Sequence, residues 1–202
     1  MKALHRDDLY GWSTFDTARN LDFHGTLWVR PEGNVVIDPV ALTDHDARHL
    51  DALGGAAWVI VTNSDHVRAT RAVVERTGAR VAGPAAEREA FPVACDRWLT
   101  DGEELVAGLT VFELEGSKTP GELAVLIGGH TLVTGDLVRA HRAGSLAMLP
   151  EAKLTDRAKA LASVRRLADI PGVEAVLVGD GWPVFRDGGA RLREIPGVAV
   201  GG

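Results

Sequence analysis

The chain has little cysteine, little tyrosine and methionine, and fewer basic than acidic residues. Cys95 is the single cysteine among 202 residues, so no intrachain disulfide can form and a reducing, cytoplasmic setting is expected. Residues 1–11 are charged and lack the apolar stretch of a secretory signal. No apolar run approaches the length that crosses a bilayer, so no membrane association is expected. The formal charge is −6 and the pI about 5.6, whereas a nucleic-acid binder needs clustered Lys and Arg to displace counterions. Arginines do gather at Arg165–Arg166 and at Arg186, Arg191 and Arg193, but acidic or apolar residues interrupt both groups. They read as solvated faces, and nucleic acid is not an expected partner.

What is present describes an ordinary globular chain. Apolar residues make up 46% and charged ones 25%, with no repeat, low-complexity segment or linker, so residues 1–202 read as one domain with a sizeable core. Gly25–Val29 and Val35–Ile37 form a hairpin across a turn-rich break. Thr43 stands at an N-cap position with Asp46 three residues on, opening a helix that Gly54–Gly55 stops. Ala56–Val61 is a continuous apolar run, as in a strand buried on both faces. A helical pattern resumes from Val67 to Gly78, and Arg80–Ala82 is a short strand. Breaks at Pro84, Pro92 and Gly102 fragment the stretch from Gly83 to Gly108.

Three β-rich segments come next, Leu109–Leu114, Glu122–Ile127 and His130–Thr134, the last two joined through Gly128–Gly129. Thr155 opens a further helix, and Ala175–Val178 is a final strand. Strands thus come partly in hairpins and partly alternating with helices. That mixture suits mixed sheets covered by helices rather than one doubly wound parallel sheet.

Polar residues collect where strands end. Ile37 runs into Asp38, Val61 into Asn63, Asp65 and His66, Thr134 into Gly135–Asp136, and Val178 into Gly179–Asp180–Gly181. Each Asp alone is explained as a turn former or helix cap. Several such residues in one domain are the raw material of a ligand or metal site at a sheet edge.

These segments resemble the metallo-β-lactamase fold. Gly33–Pro39 resembles its opening hairpin, Val59–His66 its HxHxDH segment, and Gly116–Glu122 its GHTPGS segment. Leu132–Asp136 resembles the strand that ends in the bridging aspartate, and Leu177–Gly181 the closing PGHG. The likeness covers roughly residues 22–186 with the segments in order. It implies an α/β (α+β) four-layer αββα sandwich.

The likeness also has gaps. The three histidines that hold the family's first metal are missing, with Lys118 in the place of one and Asp180 in the place of another. What survives resembles the second site: Asp65, His66 and Asp136, with Asp180 as a further donor. A carboxylate-rich set of this kind suits manganese, iron or magnesium at least as well as zinc.

The resemblance implies two alternative functions. In one, a single divalent metal (zinc, iron or manganese) serves hydrolysis of a small molecule, with Lys118 and Asp65 as catalytic residues and Lys118 stabilising an anion. In the other no metal binds, Lys118 fills the site through salt bridges to Asp65, Asp136 or Asp180, and the protein is a binding or structural one. A homo-oligomer is a third expectation. Asn63, Asp38, His24, His141 and Trp182 are candidate pocket residues, Trp182 because it comes directly after Gly181. His45 and His49 read as solvent-facing on a surface helix, His130 as a turn residue, and Cys95 as a small buried hydrophobe. The pocket loops name no substrate.

Overall fold

The structure is a computed structural model and describes residues 1–198. Seven strands run β1 (Lys2–Ala3), β2 (Leu9–Asp16), β3 (Leu21–Trp28), β4 (Val35–Ile37), β5 (Trp58–Ile60), β6 (Arg80–Pro84) and β7 (Arg97–Leu99), and they neighbour one another in that order. A second sheet has the order β14–β11–β10–β9–β8, from β8 (Glu104–Val106), β9 (Leu109–Leu114), β10 (Glu122–Ile127), β11 (Thr131–Thr134) and β14 (Ala175–Val178). A separate hairpin pairs β12 (Val138–Arg142) with β13 (Ser145–Met148). The helices are α1 (Asp44–Ala52), α2 (Thr70–Thr77), α3 (Arg157–Ala168) and α4 (Gly188–Arg193).

The continuous apolar strands explain the layering. Side chains alternate between the two faces of a strand, so a strand apolar throughout needs cover on both sides. In β4, Val35 and Ile37 enter the core between the sheets while Val36 enters the core beneath α1 and α2. Trp58 and Ile60 of β5 divide from Val59 in the same way. In β10, Leu123, Val125 and Ile127 face the middle core, and Ala124 joins the outer core with Val164 and Leu167 of α3. Three separate apolar cores therefore lie between four layers, helix–sheet–sheet–helix, the αββα sandwich that the sequence resemblance implies. Each fully buried Leu, Ile or Val contributes roughly 1.5–3 kcal/mol relative to exposure.

The caps match the sequence closely. The Thr43 hydroxyl accepts from the backbone N–H of Asp46 and donates to its carboxylate, and Gly78 takes the left-handed conformation that ends α2. At α3 the cap is Asp156, which accepts from the N–H groups of Ala158 and Lys159, and not Thr155. Thr155 instead donates to the carbonyl of Ser117, 2.7 Å away, and ties the helix start to the loop before β10.

Two parallel pairings bring the polar strand ends together. β4 lies parallel to β5 and β11 parallel to β14, with Ile37 opposite Ile60 and Thr134 opposite Val178. Parallel neighbours end together, so residues just after these strands meet at one edge of the sandwich. No helix among the described residues is long and apolar enough to cross a membrane.

Candidate functional site

The first half of the site is built on Asp38. It comes directly after β4 with φ +48, and its two oxygens accept from the Thr62 N–H (2.8 Å), the Thr62 hydroxyl (2.6 Å) and His66 Nδ1 (2.7 Å). Asn63 caps the short turn Ser64–His66 by accepting from the Asp65 N–H, and its Nδ2 donates to Asp136 at 3.2 Å. His66 is therefore pinned from behind, 2% exposed, with Nε2 on the side of Asp136 (3.5 Å) and Arg68 (2.9 Å).

Arg68, at φ +36, is the second non-glycine residue here held in the left-handed region, a conformation that costs about 1–3 kcal/mol. The two strained residues hold one imidazole from its two nitrogens. Burial disfavours the imidazolium, yet the charge of Asp38 and the hydrogen bonds of Asp136 and Asp38 raise the His66 pKa to about 9. The 2.9 Å contact from Arg68 needs a lone pair on Nε2 and so belongs to the neutral ring. With the ring charged, Arg68 retains Asp180 (3.2 Å) and the carbonyl of His24 (3.3 Å).

The second half is built from charges. Asp136 lies after β11 and accepts an ion pair from Lys118 Nζ at 2.9 Å. Lys118 also pairs with Asp65 at 2.7 Å. Burial works against the Lys118 ammonium, but hydrogen bonds and charge from Asp65 and Asp136 outweigh it and raise its pKa, which removes it as a neutral nucleophile. Burial likewise works against the Asp136 carboxylate, and His66 and Lys118 nevertheless hold it far below the usual range. Asp180, after β14, is clamped between Arg68 on one oxygen and Arg139 on the other.

Beneath them lies Glu122, fully buried, with Ser117 donating to one oxygen at 2.5 Å and the Leu137 N–H to the other at 2.9 Å. Burial and the neighbouring charge of Asp136 push its pKa up to about 7.

These residues open into a cleft of about 1000 Å³ lined by Asp65, His66, Arg68, Lys118, Asp136 and Asp180, and further out by Arg139 and His141. Donor atoms of His66, Asp136 and Asp180 lie within 4.8 Å of one another. Asp65 stands apart from that group, its side chain 55% exposed and turned over to Lys118. Asp38 and Asn63 lie behind the cleft and hold its lining.

His24 is not a cleft-lining residue. Its backbone N–H is bonded to Gly179, its carbonyl accepts from Arg68, and its ring, outside the lining, feels the charges of Arg68 and Asp180. Trp182 corrects the expectation drawn from its neighbour Gly181. Gly181 turns at φ +94 and Trp182 N–H donates to Ala140, leaving a side chain that is 58% exposed and outside the lining. His49 departs too: it is half-buried and packs edge-on against Tyr10. Cys95 is half-buried, and burial pushes its thiol up to about 12, so it is no nucleophile.

The donor set does not fit a divalent ion while these partners are in place. His66 Nε2 faces Arg68, Asp136 carries Lys118, and Asp180 carries two guanidinium groups. An arginine cannot be deprotonated to make way. A divalent ion about 4 Å from any one of these cations meets a repulsion on the order of 8 kcal/mol at an effective dielectric of 20. The carboxylates that would offset it are already neutralised.

The order of the layers and this edge define a class. The chain belongs to the metallo-β-lactamase superfamily, whose profile matches residues 1–198. Among solved structures it is similar to a metallo-β-lactamase from Pontibacter korlensis, at 20% identity and TM-score 0.72, covering 93% of this chain and 92% of that one. A metallo-β-lactamase from Erythrobacter litoralis matches at 18% identity and TM-score 0.73, covering 94% and 92%. The mono-zinc form of the FIM-1 metallo-β-lactamase from Pseudomonas aeruginosa matches at 12% identity and TM-score 0.70, covering 91% and 88%. At these identities the likeness is one of fold. No curated protein sequence matches the chain.

Arg68 is the residue that sequence reasoning misses. It lies two positions after His66, inside the segment that reads as the start of a helical pattern, and a lone arginine there looks like surface. Its signal is the departure of Asn63–Ser64–Asp65–His66–Val67–Arg68 from the HxHxDH pattern, where an unexpected cation marks an altered site.

Proposed function

We propose that the chain is a metal-free member of the superfamily that binds a small molecule in the cleft. Lys118, Arg68 and Arg139 supply the positive charge that metal ions supply in relatives such as the mono-zinc form. The observation that carries this reading is Lys118 lying between Asp65 and Asp136 at 2.7 and 2.9 Å, where its ammonium occupies Asp136, a carboxylate that a metal would need. The test is elemental analysis of protein purified without chelator, then again after incubation with zinc, iron or manganese. No stoichiometric metal is expected in either sample.

A second reading has its own observation, the convergence of His66, Asp136 and Asp180 within 4.8 Å. There the three residues hold one ion and the protein is a hydrolase, with Lys118 and Asp65 catalytic. Stoichiometric metal in the wild type, lost in Asp136→Asn, would establish this reading and overturn the first.

A further inference from the structure

Most cations of the cleft are already engaged. Arg68 and Arg139 share Asp180, Lys118 bridges Asp65 and Asp136, and Arg19 stands 3.8 Å from Asp16. Lys153 is different: it lines the cleft, is exposed, and has no carboxylate within ion-pair distance among the described residues. It shares one region of the wall with two other groups that carry or accept positive charge. His141 lines the same cleft, and after burial the charges of Arg139 and Lys153 are what lower its pKa, with Asp180 opposing them. Arg139 itself is only partly satisfied, because its Nε is buried with no acceptor while Nη2 serves Asp180.

The charge balance points the same way. The whole chain is formally −6, yet the lining carries five fixed cations against four carboxylates. Concave, low-dielectric walls focus such a local excess and raise the local concentration of ions of the opposite sign. The lining also includes Leu21, Phe23, Val40 and Leu149, which offer apolar surface to the rest of a bound molecule.

We propose that the ligand of the cleft is an organic anion, a carboxylate or phosphate group on an apolar body, whose charged end is seated on the wall formed by Arg139, His141 and Lys153. The proposal rests on reading the cleft as a small-molecule site, and it does not depend on the metal question. Within that wall, Lys153 is the cation that has no carboxylate partner among the described residues.

The full chain, treated with EDTA and then dialysed free of it, is titrated calorimetrically with phenyl phosphate, benzoate and the neutral benzyl alcohol. At least one anion is expected to bind, with the alcohol weaker by about tenfold or more, and with affinity falling as salt is added. Lys153→Glu is expected to weaken anion binding by about tenfold, while Arg48→Glu, a charge reversal on exposed α1, leaves it unchanged. The ranking of phenyl phosphate against benzoate identifies the head group.

Equal binding of the alcohol, an unaltered Lys153→Glu variant, or no binding of any probe would each overturn the proposal. Metal analysis of the same protein before EDTA is added separates the two readings. Bound metal with the Lys153→Glu effect intact refutes the metal-free reading alone, and no metal with no such effect refutes only the anion.

Discussion

The two halves of the site hold their carboxylates by different means. At the ends of β4 and β5, Asp38 is bound by a backbone N–H, a hydroxyl and an imidazole, all packed and short. At the ends of β11 and β14, Asp180 is clamped by the flexible guanidinium groups of Arg68 and Arg139, and Asp136 takes the Lys118 ammonium besides its contacts with His66 and Asn63. The first arrangement orders the backbone: without Asp38, the Thr62 N–H and the His66 ring lose their acceptor. The second neutralises charge and sets the character of the cleft. Removing a residue from the first half should therefore cost folding, and removing one from the second should change chemistry more than stability.

The largest effect expected is from Asp38→Ala. It strands three donors and asks alanine to adopt φ +48, so a loss of about 3–5 kcal/mol is expected in urea denaturation. Asp38→Asn tolerates that backbone and keeps one acceptor, so it should recover part of the loss.

Glu122 tests the boundary between the halves. Its folded pKa, about 7, lies above the ordinary value of 4.5, so the folded state holds the proton more tightly than the unfolded one. Its contribution is full below pH 4.5 and is lost as pH rises through about 7. The wild type should lose up to roughly 3 kcal/mol across that window relative to Glu122→Gln. A stability–pH curve for the two proteins checks this, and parallel curves would refute it. His66 works in the same direction at higher pH. Its contribution is complete below 6.5 and lost through about 9, and this component should vanish in His66→Gln.

Lys118→Met should cost about 1–3 kcal/mol, because buried Asp136 loses its nearest cation. It should also raise the acid midpoint of unfolding, because Asp136 loses one of the cations that hold its pKa down. Asp65→Asn is the smallest change, below about 1 kcal/mol, since its side chain is 55% exposed and water already screens the pair. If Asp65→Asn proved as damaging as Asp38→Ala, the contrast between the halves would fail.

Much of the fold is legible in the sequence because the strands are apolar throughout and the helices carry recognisable caps. Thr43, Gly78 and the pair Gly128–Gly129 lie where the chain turns. β2 leaves little trace because it is an edge-proximal strand with only two of its eight residues buried, so its polar residues mask the alternation. The β12–β13 hairpin reads as an arginine-rich loop, since Arg139, His141 and Arg142 interrupt its apolar positions. α4 begins with two glycines and lacks a side-chain cap, and no local signal announces it.

The strand-end residues are legible as a group. The partners that neutralise them are less so, because Arg68 and Arg139 meet Asp180 only across 112 and 41 positions of sequence. Long-range charge pairing leaves no periodic trace. Trp182 misleads for a related reason: adjacency to a site glycine does not determine which way the next side chain turns.

Two glycines at the sheet edge carry a consequence for how this site can change over generations. A Cβ at Gly179 would lie 2.6 Å from the His66 ring, and one at Gly135 would lie 2.8–2.9 Å from Thr62, Asn63 and Glu122. At both positions any side chain would force these buried groups to shift, whatever ion or molecule the cleft serves. Lys118 and Asp65, half-exposed and flexible, can be exchanged one at a time with the floor intact. Mutational drift is thus channelled into the charged rim, and a lineage can trade one set of cations for another while inheriting the same two gaps beneath them.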